Sequence, residues 1–581
     1  MAKATEPAGG PDDNAPRRSR FLRRPSRERV VGWLAAAAGA LMVVLAFPTV
    51  DLAFPIALAL VPVLVRARAL SWRQRLRLGW LMGFLYHVVL FRWLPFTLTE
   101  MTPIPLPVAW LMWWLYAAWH GLVIGVFLAL AEPVRRLVAA RAPALAAIAV
   151  ALVFVAVEHL FPAMFPFSLG HAFGATPPVA ALQALGGVPL LALFAALVQA
   201  ALADAWTRDL RSARAAGVAL VVLAAAGAAW FVHADGAEPT RTLRVAVVQP
   251  NYTLAEKKKA SVAQRQRLLD RFEAQIRALP RGRFDLVVAS EGAFPLYWDV
   301  RAEEHPSSRA LASVATLRMG IAVAEGPACD TIIGGLRQGE ALAPHKPPTH
   351  NAAVLVGGDG KVRAHYDKRV LVPFSEYLPL SDLIPSLRGA IPGIGDFTPG
   401  EAPCRFDAAG TRVACGICYE TMFQDETREA AQDDARLLVN LTIDTWFGRT
   451  VAPRMHLMAH ASRAVELGLP LVRAALTGIT AVVSPTGEVV ASLPMDEPGV
   501  LAADVPLTEL VTPFRVTGPI VPWVAVGLSL VLLALAFRAR RELFPPGAVR
   551  ASRSTCSSSS DAPSSPRPPS EGSPPTSPGG P

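Results

Sequence analysis

Residues 411–420 read TRVACGICYE and residues 284–291 read FDLVVASE. Each is a largely apolar run of strand length that ends on reactive side chains: Cys418, Tyr419 and Glu420 in the first, Glu291 in the second. Strands that are apolar on both faces are buried on both faces, so helices must cover them. Working outward, RTLRVAVVQ (241–249), DTIIGGL (330–336), NAAVLVG (351–357), ARLLVNLTI (435–443), GITAVVS (478–484) and EVVASLP (488–494) read as further strands. Helical runs fall near 259–278 and 453–467. The expectation is an α/β domain with mixed strand pairing, whose chemistry collects where strands end. Glu291 follows one strand, Lys368 sits in the loop before VLVPFSEYLP (370–379), and Cys418 ends another. In such a set the thiol attacks as thiolate, the carboxylate takes its proton and the lysine stabilises an oxyanion. Spacing alone does not single out three residues among 581.

The chain as a whole is too apolar for an ordinary soluble enzyme: 52% of its residues are hydrophobic, 18% are charged, and the mean hydropathy is +0.36. Its 56 Lys and Arg against 46 Asp and Glu leave +10. The bases lie in short clusters beside apolar runs, which fits membrane topology and not nucleic acid. Apolar runs of spanning length occur at 30–48, 78–96, 105–131, 142–162, 179–203, 215–233 and 519–537, with a shorter one, containing Pro55 and Pro62, at 53–65. Eight transmembrane helices are expected, seven before the polar segment and one after it. Arginines cluster before the first run, at Arg66 to Arg77, at Arg135 to Arg141, at Arg208 to Arg214 and at Arg538 to Arg541, while loops 97–103 and 163–178 hold no Lys or Arg. The positive-inside rule then puts both termini in the cytoplasm and the polar segment outside. The expected division is a basic cytoplasmic N-terminus (1–29), a seven-helix transmembrane region (30–234), a periplasmic catalytic domain (235–515), a C-terminal helix (516–540) and a disordered Ser/Pro-rich cytoplasmic tail (541–581). The first apolar run reads as an anchor, not a cleaved signal peptide. Five cysteines (Cys329, Cys404, Cys415, Cys418, Cys556) are too few and too irregular for a disulfide scaffold or zinc site. No cluster has metal-ligand spacing and no glycine-rich loop cradles phosphate, so neither metal nor cofactor is expected.

The motifs VVQPN (247–251), ASEGAFP (289–295), YDKRVLVPFSEYLP (366–379), CGICYE (415–420), TWFG (445–448) and LTGITAVVSPTG (476–487) resemble the nitrilase superfamily. With its helices, the chain over 30–540 resembles the apolipoprotein N-acyltransferase family, the membrane-embedded branch of that superfamily. The resemblance implies an αββα sandwich and a triad in which Glu291 is the proton acceptor, Lys368 the oxyanion stabiliser and Cys418 the nucleophile. It makes Glu376 a second carboxylate near the triad, with Tyr419, Glu420 and Trp446 in supporting or substrate-contacting roles. It also implies the reaction: a fatty acyl chain passes from a membrane phospholipid, through a cysteine thioester, to the N-terminal amino group of S-diacylglyceryl-cysteine on apolipoproteins. The setting would be the bacterial inner membrane. The sequence departs from the family pattern at Ile443, where an Asn is common, at Leu476 and Thr477 in a usually polar run, and at FPF (165–167), where FPW is common.

Plainer roles stand beside these. A free cysteine is usually a buried small hydrophobe, Glu291 could be a solvated loop acid, and Lys368 lies near Arg363 and Arg369 in what could be a basic surface patch. Cys415 is expected to face away from Cys418. His87, Glu158 and His159 are expected to face the helix bundle, Trp110, Trp113, Trp114 and Trp119 to anchor or pack it, and His456 to pack or cap its helix. Two other functions use the same chain: a membrane-tethered amidase or hydrolase with water as acceptor, and a non-catalytic lipid- or lipoprotein-binding paralogue.

Overall fold

The structure is a computed structural model that describes residues 27–253, 256, 260–300, 310–339, 347–381, 383, 384, 386, 395–432 and 434–543. The basic N-terminus before Arg27, the tail beyond Leu543 and Cys556 lie outside the described residues. Helices α1 (Arg27–Ala46), α2 (Val61–Ala67), α3 (Trp72–Leu90), α4 (Leu94–Met101), α5 (Leu106–Arg141), α6 (Ala146–Leu160), α7 (Leu182–Trp206) and α8 (Leu210–Asp235) precede the α/β domain. Among the described residues, six helices are long and apolar enough to cross a membrane, and a seventh span exists if α3 and α4, bent by 55° at residues 91–93, count as one. The run expected at 53–65 is a 3-10 turn (Phe54–Leu58) followed by α2, a 14-residue apolar stretch in all. Pro55 and Pro62 each remove a backbone donor there, and each starts one of the two short pieces.

Helices α3 and α5 touch backbone to backbone. A Cβ on Gly83 would lie 2.6 Å from the Gly121 carbonyl oxygen, and one on Gly79 2.4 Å from that of Ile124, so this crossing requires glycine. Helix α7 breaks at Gly186 and Gly187, the latter at φ +72°, with Pro189 following. The break leaves the Val188 N–H without an intrahelical acceptor, and Glu466 of the α/β domain accepts it at 2.7 Å.

The α/β domain holds two six-stranded sheets. The first runs β12-β1-β2-β3-β4-β5 and the second β11-β10-β9-β8-β7-β6. Their ranges are β1 (Arg241–Gln249), β2 (Leu286–Trp298), β3 (Asp330–Gln338), β4 (Thr349–Val356), β5 (Val362–Asp367), β6 (Arg405–Ala408), β7 (Thr411–Ile417), β8 (Leu437–Thr442), β9 (Leu471–Ala475), β10 (Ala481–Val483), β11 (Val489–Ser492) and β12 (Gly499–Leu507). Strands β1, β2 and β3 are mutually parallel, as are β7, β8 and β9; the outer strands pair antiparallel. Val245, Val247, Val288 and Ile332 of one sheet meet Val413, Ile417, Val439 and Val472 of the other in a buried seam. Helices α9 (Val262–Arg277) and α10 (Ala310–Glu325) cover the first sheet's outer face. Helices α11 (Gln424–Ala430) and α12 (Ala452–Leu467) cover the second. This is the expected αββα sandwich, and α13 (Ile520–Leu543) follows it. The strands β5, β6, β9 and β12 and helices α10 and α11 were not among the elements read from sequence. Strand β9 carries a fully buried Arg473, and β12 alternates exposed and half-buried residues at the sheet edge, so neither shows the continuous apolar run that marked the others.

Inside the bundle His87 is buried, as expected. Glu158 bonds inward to Ser168 Oγ at 2.8 Å and to the Leu169 N–H at 3.2 Å. His159 departs from expectation: it is exposed and lies edge-on against Trp523 of α13 at 4.9 Å. Trp113 is buried while Trp110, Trp114 and Trp119 point outward.

Candidate active site

Strand β7 ends at Ile417, and Cys418 begins a 3-10 turn with φ +55°, the left-handed region. That conformation costs a non-glycine residue strain and sets Cys418 at the cavity wall, against the edge of the sheet seam that Cys415 occupies. Strand β2 does not stop at Ser290 as the sequence suggested. It continues to Trp298, but its register against β3 slips between Ala289 and Phe294, around Gly292 at φ +64°. Glu291 therefore projects from a bulge within a strand and not from a strand end. Lys368 directly follows β5, its N–H bonded to the Asn351 carbonyl at 2.8 Å.

These three residues line one cavity of about 320 Å³ together with Glu376, Asn351 and Trp446. Lys368, 1% exposed, has its Nζ 2.9 and 3.0 Å from the two oxygens of Glu376 and 3.9 Å from Glu291 Oε1. Burial alone would lower its pKa; the carboxylates of Glu376 and then Glu291 outweigh that and hold it above its ordinary value. Burial, then the charge of Glu291, pushes the Cys418 thiol up to about 12, with Lys368 opposing. At rest Cys418 is thus a thiol beside the ammonium of Lys368 and the carboxyl groups of Glu291 and Glu376.

Asn351, the third residue of β4, was not singled out in the sequence. Its Nδ2 donates to Glu291 Oε1 at 2.6 Å and to Glu376 Oε1 at 2.8 Å, so one amide fixes both carboxylates. The available signal was an Asn at the start of the apolar run NAAVLVG (351–357), in a strand whose every residue is buried. Glu420 does not reach the cavity. It lies beneath, accepting from the Ile417 N–H at 2.5 Å, Tyr366 Oη at 2.9 Å and the Arg369 N–H at 3.0 Å. It thereby ties the turn carrying Cys418 to the loop carrying Lys368. Burial pushes Glu420 up to about 7, with the Lys368 charge and these donors pulling the other way.

Tyr419 points toward the bundle, its hydroxyl on the Met164 carbonyl and its ring edge-on to Phe165 at 5.9 Å. Trp446 stands at the same junction: its carbonyl accepts from Thr97 Oγ1 of α4 at 3.1 Å, and neighbouring Phe447 meets Trp93 at 5.2 Å. Between them lies an apolar chamber of about 120 Å³ with Leu94, Leu98 and Met112 on one side and Cys418, Tyr419 and Trp446 on the other. Met101, Val372, Cys418, Ile443 and Trp446 line both spaces, so the chamber and the reactive cavity meet at the thiol. Ile443, where the family pattern has Asn, gives this meeting point an apolar wall.

His456 does more than pack or cap. Its Nδ1 lies 3.0 Å from Asp444 Oδ1, and Arg473 Nη2 reaches both Asp444 oxygens at 3.0 and 2.9 Å. The Arg473 charge takes Asp444 down to about 2, although burial alone would raise it. This buried network anchors the loop that carries Trp446. Among the described residues, no group of three or more His, Cys, Asp or Glu side chains is placed to hold a metal ion, and all four described cysteines are free.

Comparisons with known proteins place this architecture. Residues 244–512 match the carbon-nitrogen hydrolase family, and residues 38–201 match the apolipoprotein N-acyltransferase N-terminal domain. The apolipoprotein N-acyltransferase of Azotobacter vinelandii is 32% identical over 560 residues, covering 92% of this chain and 100% of that protein. That of Geobacter metallireducens is 36% identical over 262 residues, 45% of this chain and 48% of its own length. Among solved structures, an amidase from Nesterenkonia sp. aligns at 22% identity and TM-score 0.33, over 45% of this chain and 90% of its own, a likeness too low to carry weight. A helical bundle with membrane-spanning helices, joined to a nitrilase-like α/β domain and matched along nearly its whole length by an acyltransferase, makes this chain a member of the apolipoprotein N-acyltransferase family of the nitrilase superfamily.

Proposed function

We propose that the protein transfers a fatty acyl chain from a membrane phospholipid to the N-terminal amine of an S-diacylglyceryl-cysteine apolipoprotein, through a thioester on Cys418. The observation that carries this reading is that Cys418 lies on the wall of both a charged cavity and an apolar chamber built partly of membrane helices. A lipid ester carbonyl presented from the chamber would meet the thiol where Glu291 and Lys368 converge. A soluble site would have to strip each chain from the bilayer at about 0.8 kcal/mol per CH₂.

Because burial keeps the thiol protonated at rest, the base must act as the carbonyl arrives. Glu291 takes the Sγ proton, the sulfur attacks the ester carbon, and the oxyanion forms against Lys368. Collapse breaks the ester C–O bond; the lysolipid alkoxide leaves with the proton from Glu291, and a thioester remains. In the second half the acceptor amine, with a reference pKa near 8, attacks as the free base. Glu291 takes its surplus proton, the C–S bond breaks, and that proton returns to sulfur. Glu376 and Asn351 hold the carboxylate and ammonium in register, and Glu420 holds the two loops together. With Phe54–Ala67 counted as a short crossing, seven crossings precede the α/β domain and the arginine-rich loops all fall on the cytoplasmic side, so the catalytic domain, residues 235–515, is assigned to the opposite, periplasmic side of a bacterial inner membrane.

The test is product analysis with purified protein, phospholipid and a diacylglyceryl-cysteine peptide. The expected result is an acceptor heavier by one acyl chain, with one lysolipid released per acceptor modified. Free fatty acid with an unmodified acceptor would make the protein a hydrolase and refute the proposal.

A further inference from the structure

Strand β8 puts Leu437, Val439 and Leu441 into the seam between the sheets and Leu438 into the core on the opposite face. By the two-residue period of a strand, Asn440 and Thr442 share the side of Leu438. Strand β8 runs parallel to β7 with Leu441 opposite Ile417, so Thr442 is the next residue out, where β7 ends and Cys418 turns away at φ +55°. Asn440 already touches that turn: its Nδ2 donates to Thr421 Oγ1 at 2.9 Å and reaches the Cys418 carbonyl at 3.5 Å. On its other side Thr442 is pinned to β9, pairing with Ala475 and accepting the Leu476 N–H at 3.0 Å on its carbonyl. A β-branched side chain on so fixed a backbone has little freedom to turn.

Thr442 is 0% exposed, and at rest its Oγ1 is a buried atom without a hydrogen-bond partner. A buried hydroxyl left unpaired costs stability, and Val would fill the same space without that cost. The hydroxyl earns its place if a partner appears during the reaction. The sulfur of Cys418 is such a partner, because a thiolate accepts far more strongly than a thiol. Burial and then the Glu291 charge raise the thiol pKa; opposing them are the Lys368 charge and then hydrogen bonds to the ionised sulfur from the Thr442 side chain and the Ile443 N–H.

We infer that the Thr442 hydroxyl and the Ile443 N–H form a two-donor cradle for the Cys418 sulfur whenever it is anionic. This assignment rests on the thioester reading above, in which sulfur gains charge twice. Glu291 takes the Sγ proton before attack, and later the C–S bond breaks with its electron pair going to sulfur. Both donors keep their own protons throughout, and the second charge is discharged when Glu291 returns a proton to sulfur. Lys368 is thereby left to the carbonyl oxygen. At position 443 the main-chain N–H does the bonding, so Ile in place of Asn leaves the cradle intact.

The test follows iodoacetamide labelling of Cys418 at fixed pH in the full-length protein by peptide mass spectrometry. Labelling of Cys404 and Cys415, both buried, marks unfolded molecules. Thr442→Val is expected to slow Cys418 labelling about tenfold by lowering its thiolate fraction. Lysolipid release and clearance of the thioester by acceptor should slow by a similar factor, since both halves charge the sulfur. The unfolding temperature of Thr442→Val should equal or exceed that of wild type, which no loss of fold would produce. Thr442→Ser keeps the hydroxyl and should recover each rate to within about threefold. If Thr442→Val does not fold, Thr442→Ala is read in the same assays. Labelling within about twofold of wild type in the hydroxyl-free variant, or an equal loss in Thr442→Ser, overturns the inference. Slower lysolipid release with labelling unchanged also overturns it, because the hydroxyl would then act on the lipid and not on sulfur. The parent reading is scored separately on wild-type protein. Labelling that depends on Thr442 without any acyl transfer sinks that reading and leaves the cradle, whereas acyl transfer with labelling indifferent to Thr442 sinks only the cradle.

Discussion

The Asp444–Arg473 pair and the Lys368–Glu376 pair are equally buried charges in one α/β domain, yet they are finished in different ways. Arg473 spends every arm of its guanidinium: Nη2 on Asp444, Nη1 on the Ile479 carbonyl and Nε on His460 Nδ1 at 3.2 Å. One cation meets one carboxylate and the cluster is closed. Lys368 instead answers two carboxylates, Glu376 at 2.9 Å and Glu291 at 3.9 Å, beside a thiol that opens onto a cavity. Saturated charge makes structure, whereas an excess of carboxylate over cation leaves a group able to accept a proton.

Removing the cation from each cluster separates the two cases most sharply. Lys368→Met takes away the positive charge at the forming oxyanion, and acyl transfer per folded molecule is expected to fall by about 10²–10³. Arg473→Met strands Asp444 and is expected to cost about 3–5 kcal/mol of stability. The folded fraction should retain acyl transfer within about tenfold. Thermal unfolding in detergent, paired with adduct formation per folded molecule, reads both. If Lys368→Met transferred acyl chains as fast as wild type, the distinction between the clusters would be lost.

A smaller effect is expected at Asn351. Asn351→Leu leaves Glu291 and Glu376 without their shared donor, and loss of hydrogen bonds to charged groups predicts about a 10- to 100-fold slower first half-reaction. The release of lysolipid in a single turnover measures it, and a rate within twofold of wild type would show that Lys368 alone holds both carboxylates.

The smallest effect is a pH dependence through Glu420. An ionised carboxylate accepts these three bonds more strongly than a neutral acid does, so protonation as pH falls through about 7 should loosen the Cys418 turn from the Lys368 loop and slow acyl transfer a few-fold. The stability term has the opposite sign. The folded-state value lies above the unfolded 4.5, so the native state binds more protons between the two, and this group's contribution is lost as pH rises through about 7. Glu420→Gln should remove the inflection near 7 from the rate profile; an unchanged profile would assign it to another group.

Glu291 and Cys418 were legible because each ends an apolar run inside a recognisable motif, Lys368 through its motif alone, and the sandwich because those runs are apolar on both faces. Other features needed the third dimension. Asn351 reads as an ordinary strand residue until β4 lies beside β3, one strand removed from Glu291 on β2. Arg473 hid β9 altogether, since a charge in a five-residue strand argues against burial unless its partner Asp444 is known. The bulge at Gly292 was hidden because the apolar run ends before Glu291 and the register slip against β3 shows only once the strands are paired. Residues 53–65 were legible as one apolar run, while its division by two prolines into a 3-10 turn and a short helix needed the structure.

The central claim is that Cys418 carries the acyl chain between donor and acceptor. The direct measurement is peptide mass spectrometry of the protein after incubation with phospholipid alone. The account predicts a hydroxylamine-labile acyl mass on the peptide containing Cys418, absent in Cys418→Ser and cleared when a diacylglyceryl-cysteine peptide is added and gains that mass. An acceptor that becomes acylated while Cys418 never carries the chain, or that is acylated equally by Cys418→Ser, would contradict it.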